Sequence, residues 1–419
     1  MSVPTWLFLL TGGGVVGASF LLASFVTDRA FIRTMHEWRR VASARVDGIR
    51  TVTRLLSVLA LVGIVVIGFL GPADSLRNAA TMVVWVGWWA GYVATVYLLG
   101  NSWPALNPWR ALAEWLPSLD REYPERFGAW PSVVGLLALI WVEVVSPLAD
   151  EPRLLSWVIV GYSVVTLAGA LVYGPDAWFD NVDPVSRVFR YYGRVAPLRR
   201  TDSGFELRLP GAALTEPRLA DGRDEVAFVV ALLWVTTYDG FVGTPVWAEF
   251  ARAVVGVGVP AQLVYPAALL VGFGAFWGAY RLASRYSRET AGTYLTPEAI
   301  GRRFVPSLLP IAAGYHLAHF LGYFISLSPV LTNALSSPLS PPFDPVVIVL
   351  PGWFGTVAVT FVLLGHLLAV WVAHATAYEV FPGRLQAVRS QYPFVVVMVL
   401  YTMISLWIVA APDVEPPYL

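Results

Sequence analysis

The sequence contains neither cysteine nor lysine, so all 28 of its basic residues are arginine. Without cysteine, the chain can form no disulfide bond, thiolate metal site, thiol nucleophile or iron–sulfur cluster. Without lysine, it has neither a Schiff-base lysine nor the lysine of a phosphate-binding P-loop. The formal net charge is zero, and no basic tail is present that would favour nucleic acid as a partner.

Charge of either sign is also scarce. Charged residues make up 13% of the 419 residues and hydrophobic residues 57%, whereas a soluble domain carries about 25% charged residues. Apolar runs long enough to cross a bilayer recur along the chain. We place ten of them near residues 4–26, 53–72, 81–102, 129–148, 154–174, 225–245, 261–283, 303–327, 352–378 and 392–411.

The composition and these runs predict an all-α fold, a polytopic bundle of about ten transmembrane helices. We expect one transmembrane domain over residues 1–419, located in the plasma membrane, with the lipid bilayer as its main partner. The first run has arginines after it and none before it. That polarity is opposite to that of a cleaved signal peptide, so we interpret the run as a retained span.

The arginines indicate the orientation of the bundle. All of them except Arg77, Arg153 and Arg252 fall in or beside the connections that follow spans 1, 3, 5, 7 and 9. Basic residues near span ends concentrate on the cytoplasmic side. The distribution therefore supports ten spans and predicts that both termini lie outside.

The longest connection covers residues 175–224, and we predict a cytoplasmic insertion at the membrane interface there. Its stretch "PVSRVFRYYGRVAPL" alternates arginines with apolar and aromatic residues. This pattern suits a helix lying in the interface, with arginines extending toward lipid headgroups. The following "TDSGFELRLPG" suggests a short extended segment with a turn.

Four of the five histidines fall inside predicted spans. His316 and His319 belong to "YHLAHF" in span 8, and His366 and His374 belong to "GHLLAVWVAHATAYEVF" in span 9. Asp239, in "TTYDGF" of span 6, is also at membrane depth. With about 1.5 Å of rise per residue, His316, His366 and Asp239 reach a similar level, His319 lies one turn further out and His374 two turns further in. Ionisable groups at such depth usually face a bundle interior or a cavity.

These residues admit several interpretations. Imidazole and carboxylate ligands from His319, His316, His366, His374 and Asp239 would suit a transition metal such as zinc, copper, iron or manganese. A haem between His316 or His319 and His366 is allowed by the two helices. A proton relay or cargo site in a transporter is a third interpretation. The simplest is that each histidine hydrogen-bonds a neighbouring helix, as we also expect for the deep Glu143 in span 4.

Several stretches resemble one known family. They are "LNPWRALAEW", "YPERFGAWPSVVGLL", "TTYDGF", "LAHF", "GHLLAVWVAHATA" and "RSQYPFVVVMVLYT". Between about Asn107 and Pro412 the chain is similar to multi-pass membrane proteins of actinobacteria and archaea labelled fenitrothion hydrolase or uncharacterised membrane protein. The resemblance implies hydrolysis of an organophosphate triester.

The same resemblance separates the candidate ligands. Asp239, His319, His366 and His374 match recurrent positions of the family, whereas an apolar residue is more usual at His316. Our leading hypothesis is therefore an intramembrane metal site that hydrolyses a lipophilic ester or phosphoester by metal-activated hydroxide. A haem-binding or redox subunit and a transporter with a His/Asp proton relay are the alternatives, and a lipophilic small molecule is the expected ligand.

Overall fold

The computed structural model describes residues 5–43, 47–201, 204–217, 219–412 and 414–418, and nearly all of its regular structure is helical. In chain order the helices are α1 (Thr5–Ser24), α2 (Arg29–Glu37), α3 (Asp47–Leu70), α4 (Ala79–Leu98), α5 (Trp103–Leu106), α6 (Pro108–Trp115), α7 (Trp130–Val145), α8 (Pro152–Tyr173), α9 (Pro175–Asn181), α10 (Pro184–Tyr192), α11 (Arg223–Val242), α12 (Pro245–Gly256), α13 (Ala261–Ala291), α14 (Pro297–Phe304), α15 (Leu309–Ser336), α16 (Phe354–Val380) and α17 (Arg384–Ala410). The strands are β1 (Arg39–Ser43), β2 (Leu198–Thr201) and β3 (Gly204–Arg208). The predicted all-α fold is confirmed.

Within the described ranges, nine helices are long and apolar enough to cross a membrane: α1, α3, α4, α8, α11, α13, α15, α16 and α17. The shorter apolar helix α7 has 16 residues. These ten helices overlap the ten predicted spans, and their number and apolar character confirm a multi-pass membrane protein. At about 1.5 Å per residue, α7 extends roughly 24 Å, less than the roughly 30 Å of a hydrocarbon core.

The connections separate onto two faces of the bundle, as ten crossings require. On one face, β3 pairs antiparallel with β1, which follows α1, and with β2, giving the strand order β1-β3-β2. On the same face Arg303, which precedes α15, contacts Glu379 at the end of α16 at 2.8 Å. On the other face Arg77 donates to the carbonyls of Pro341 and Pro342, each at 3.2 Å. The arginine-rich connections therefore share one face, and its assignment to the cytoplasm stays a prediction.

The segment over residues 175–224 differs from the expected surface helix. The stretch "PVSRVFRYYGRVAPL" does form a helix, α10, but its Tyr191 and Tyr192 are fully buried. Arg187 is only 2% exposed and contacts Glu225 at 3.1 Å. A buried guanidinium is stabilised by a charged partner within the protein. Helix α10 therefore packs into the bundle, where its arginine finds such a partner. The extended segment is confirmed as β3.

Helix α11 lies at the centre of the bundle, and 83% of its apolar segment is buried inside the protein. It packs against α7, α13 and α15. Beside it, α15 and α16 approach closely at two glycines. A Cβ on Gly314 would lie 2.6 Å from the Phe361 carbonyl oxygen, and one on Gly365 would lie 2.5 Å from that of Pro310. Small residues allow such backbone contact, which is a common basis of helix packing in membranes.

The arginine-rich face also holds a half-buried histidine outside the membrane helices. His36, in α2, stacks on Trp371 of α16 with ring centroids 5.7 Å apart. Both of its ring nitrogens are buried, and neither has a hydrogen-bond partner in the described part of the chain. Burial lowers the pKa of His36 to about 4. The imidazole is therefore neutral in the folded protein at neutral pH.

Single cysteines test the two faces directly, since the chain has no cysteine of its own. We expect Ser340→Cys, in the exposed connection between α15 and α16, to react with a membrane-impermeant maleimide on intact cells. Tyr294→Cys, at a position 99% exposed on the arginine-rich face, should react only after the membrane is permeabilised. Equal labelling of both variants on intact cells would contradict ten crossings, and the reversed pattern would invert the orientation.

His36→Phe tests the cost of burying this imidazole. The pKa of His36 has its ordinary value of 6.5 in the unfolded chain and is about 4 in the folded protein. The unfolded state therefore binds more protons between these values, and folded stability falls as pH drops through that window. At about pH 5 the neutral imidazole lowers the free energy of unfolding of the wild type by up to about 2 kcal/mol. The phenyl ring of His36→Phe, still stacked on Trp371, avoids this loss.

The measurement is the apparent Tm in detergent of the wild type and His36→Phe at about pH 7.5 and about pH 5. We expect similar values at the higher pH and a higher Tm for the variant at the lower pH. An equal loss of stability in both proteins on acidification would show that His36 does not carry this cost.

Candidate functional site

A cavity of about 210 Å³ lies among α4, α7, α8, α10, α11 and α15. Its wall is aromatic and aliphatic, and it includes Trp85, Trp88 and Trp89 of α4 and Trp109 of α6. Its polar lining residues among those described are Glu143, Tyr162, Thr236 and Asp239. Small-molecule sites typically combine an apolar wall with a few convergent polar groups.

The cavity exists because neighbouring helices in the sequence pack against different partners. Helix α7 packs mainly on α11, whereas α8 packs mainly on α3. The wall from α4 has a further local cause, since residues Met82–Tyr92 form a π-helix within α4. Wider π turns change which side chains share a face, and they are frequent at functional sites. Here that segment carries the three tryptophans.

Two titratable groups meet beside this cavity. His319 Nε2 of α15 lies 3.8 Å from Asp239 Oδ2 of α11. The His319 side chain is 40% exposed and that of Asp239 is 23% exposed. Tyr315 stacks on His319 nearly parallel, with centroids 6.2 Å apart. Gly240 permits this arrangement, because a Cβ there would lie 2.1 Å from the Tyr315 hydroxyl oxygen.

Glu143 of α7 is a third titratable group at the same place. It lines the cavity together with Asp239, and the two carboxyl groups are close enough to interact electrostatically. Glu143 Oε2 is buried and has no hydrogen-bond partner within the described structure. Three helices thus carry a histidine and two acidic residues in this part of the bundle, and one carboxyl oxygen of Glu143 has no partner among the described residues.

The other predicted ligands lie in separate surroundings. His316 is fully buried, its Nδ1 is 3.1 Å from the Tyr97 hydroxyl, and its ring is edge-on to Trp89 at 5.2 Å. His366 Nδ1 is 2.8 Å from the carbonyl oxygen of Val362 on its own helix. These imidazoles are positioned by local hydrogen bonds.

His374 joins three segments near the arginine-rich face. Its Nε2 lies 2.9 Å from the carbonyl oxygen of Val26, just after α1. Its Nδ1 lies 3.2 Å from Gln391 Oε1 of α17. Gln391 in turn donates to the Ala387 carbonyl at 2.8 Å. Each ring nitrogen lies within hydrogen-bond distance of an acceptor oxygen, and a neutral imidazole can donate to one of the two. His374 thus acts as a structural link between α1, α16 and α17.

The structure therefore brings together only His319 and Asp239 of the five predicted metal ligands. Among residues of the described ranges, no three histidine, aspartate or glutamate side chains are grouped closely enough to hold a metal ion. Catalytic zinc sites use three protein ligands and structural ones four, so these residues do not fit such a site. Binding of a metal or haem, and hydrolysis, stay predictions.

Two features of the site were underestimated by sequence reasoning. Glu143 was expected to be a helix-packing partner, and it is one of the cavity-lining residues, with Oε2 buried and without a hydrogen-bond partner in the described part of the chain. Trp85, Trp88 and Trp89 recur at spacings of three and four, which places them on one helical face. That spacing was the available signal, but in a membrane helix it equally suits contact with lipid.

Comparisons with known proteins assign no family to the chain. No protein-family model matches the chain, and no curated protein or solved structure is significantly similar to it. The family resemblance described above therefore remains an expectation, and the function has to be argued from the site.

His374→Leu and His319→Leu separate a structural histidine from one at the candidate site. Replacing His374 removes the contacts to the half-buried Val26 carbonyl and the buried Gln391 side chain, which should cost about 1–3 kcal/mol and lower the apparent Tm in detergent. His319→Leu removes the same ring from a half-exposed position and should lower Tm much less. A larger loss of Tm for His319→Leu would contradict these assignments.

Proposed function

We propose that this membrane protein is a proton-coupled transporter, with His319, Asp239 and Glu143 as its proton-binding groups. The observation that carries the proposal is the 3.8 Å contact between His319 Nε2 and Asp239 Oδ2, at a carboxylate that also lines the cavity with Glu143. Proton relays in membrane proteins are built from such histidine and carboxyl groups within the helix bundle.

The physical argument rests on the cost of charge in a bilayer. Ionisable residues in membrane helices are expensive and usually pair with one another or face a cavity. His319 and Asp239 can share one proton, because an imidazolium beside a carboxylate neutralises it.

The adjoining cavity supplies a place for cargo. Its apolar wall favours a lipophilic small molecule, and Asp239 and Glu143 are among the residues that line it. Coupling requires only that binding of the cargo changes the affinity of the protein for the proton. The proton then changes the affinity for the cargo by the same factor. This arrangement adds no support to the metal-dependent hydrolase and haem hypotheses, because only two of the five predicted ligands meet among the described residues.

Infrared difference spectroscopy of the purified protein tests proton binding without any cargo. We expect acidification from neutral pH to change carboxyl C=O bands, and Asp239→Asn to remove one contribution. His319→Gln should change the pH at which the Asp239 band appears, because the imidazole no longer shares the proton. The matched control is Glu151→Gln, an exposed carboxyl group just before α8, which should leave these bands unchanged.

The opposite result is equally clear. If Asp239→Asn and Glu143→Gln leave the carboxyl bands identical to those of the wild type, neither carboxyl group titrates in the folded protein. The proposed proton coupling would then be overturned.

A further inference from the structure

We propose that a second cavity, at the arginine-rich face, binds a phosphate-bearing anion between Arg39 and Arg208. Among the described residues this cavity is lined from α2, β1, β3 and the end of α16, none of which lines the cavity beside Asp239. The proposal therefore does not depend on the transport function. It follows from two arginines paired across strands, from an excess of positive charge and from the size of the cavity.

The cavity has a volume of about 850 Å³ and combines charged walls with an apolar floor. Arg39 of β1 and Arg208 of β3 line it together with Ile32 of α2 and Ala375 of α16. Unlike the cavity beside Asp239, it presents much polar surface to a ligand. The side chain of Arg39 is 65% exposed and that of Arg208 is 16% exposed. A ligand in the cavity can therefore reach a guanidinium group.

The two arginines are directly opposite each other in the antiparallel pair of β1 and β3. Residues in such positions share one face of the sheet, with Cβ atoms about 5 Å apart, and like charges there are destabilising. Glu206 lies between them, with Oε1 3.5 Å from Arg39 Nη1 and Oε2 2.9 Å from Arg208 Nη2. One carboxylate thus faces two guanidinium groups, and a bound anion would remove the remaining repulsion.

The neighbouring carboxylate is also outnumbered by arginines. Glu216, which lines the cavity, contacts Arg194 and Arg208 at 2.6 Å and Arg199 at 2.7 Å. With the contacts of Glu206, this cluster contains four arginines and two glutamates. It therefore has an excess of two positive charges.

Arg29 adds a third positive charge to the lining. It donates to three backbone carbonyls at the end of α16, and carbonyl groups carry no net charge. The other two glutamates of the described lining, Glu37 and Glu379, each have one arginine, at 2.6 and 2.8 Å. The charges that the structure describes around this cavity thus favour an anion.

The chemistry of the ligand follows from arginine and from this charge. Arginine binds phosphate through two parallel hydrogen bonds. A phosphate monoester carries a charge of about −1.5 to −2 at pH 7, which matches the excess better than a single carboxylate does. The cavity of about 850 Å³ is within the roughly 300–1,000 Å³ of small-molecule sites, so the phosphate can be part of an organic molecule.

Two sources of such a phosphate are within reach. Phe31 of α2 is 50% exposed, and Trp38, just after α2, is 39% exposed. Aromatic residues are enriched at membrane–water interfaces, so lipid headgroups are expected near this cavity. A soluble organic phosphate can reach the same arginines from the aqueous side.

The test is isothermal titration calorimetry of the full-length protein in a non-ionic detergent, with protein-free micelles as the baseline. The ligands are dihexanoyl phosphatidic acid, glycerol 3-phosphate, which lacks the acyl chains, and dihexanoylglycerol, which lacks the phosphate. We expect phosphate-dependent binding, with none of dihexanoylglycerol. Phosphatidic acid binding more tightly than glycerol 3-phosphate would identify a lipid headgroup, and glycerol 3-phosphate binding as tightly or more tightly would identify a soluble phosphate.

Variants test the role of the paired arginines. Arg39→Gln should weaken phosphate binding at least about tenfold, because a charge-assisted hydrogen bond is worth more than this factor. Arg39→Lys keeps the charge without the forked geometry and should retain part of the affinity. The matched control is Arg285→Gln on α13, where the arginine side chain is 70% exposed and contacts Glu289. This control should bind as the wild type does.

The apparent Tm shows whether the variant is folded. Without ligand, Arg39→Gln should be no less stable than the wild type, because Glu206 keeps its contact with Arg208 and the repulsion across the strands is gone. A phosphate ligand should raise the Tm of the wild type and of Arg285→Gln, and raise that of Arg39→Gln much less.

Two results would overturn the proposal. One is that the wild type binds neither phosphate ligand, or binds dihexanoylglycerol equally well. The other is phosphate binding that Arg39→Gln weakens no more than Arg285→Gln does. Neither result would affect the proposed proton coupling, whose groups are on other helices.

Discussion

A bilayer offers no water to buried polar groups, and this constraint favours positions in which polar side chains of the bundle find a partner within the protein. Arg187 is matched by Glu225, and the His316 ring lies beside the Tyr97 hydroxyl. The ring nitrogens of His374 lie beside the Val26 carbonyl and the Gln391 side chain. Other buried polar atoms of the described residues have no hydrogen-bond partner, among them Nε2 of His316, Nε of Arg187 and Oε2 of Glu143, and leaving such an atom unpaired is costly.

The cavity is the second consequence of the packing. Helix α7 packs mainly against α11 and α8 mainly against α3, so two helices that are adjacent in sequence have different packing partners. The π-helical part of α4 places its tryptophans at this gap. The proposed proton-binding groups are on three helices with different partners. A relative movement of those helices would change their distances, which is the structural requirement for coupling a proton to a ligand.

Much of the fold was predictable because its signals are local. Apolar runs and the distribution of arginines predicted the ten membrane helices, since each run must by itself span the hydrocarbon. The extended segment beginning near Gly204 was also predictable. The placement of α10 was not, because the alternation of arginine and aromatic residues suits a lipid surface and a buried helix with an acidic partner equally well.

The candidate site shows the same division. Sequence alone determined which residues are at membrane depth, because helix rise converts position into height. It could not determine rotation about each helix axis or which helices are neighbours, and a ligand set depends on both. Only the tertiary structure decided that His319 meets Asp239, that His316, His366 and His374 have other partners, and that Glu143 is in the lining of a cavity. Depth is a property of one helix, whereas a site is a property of several packed together.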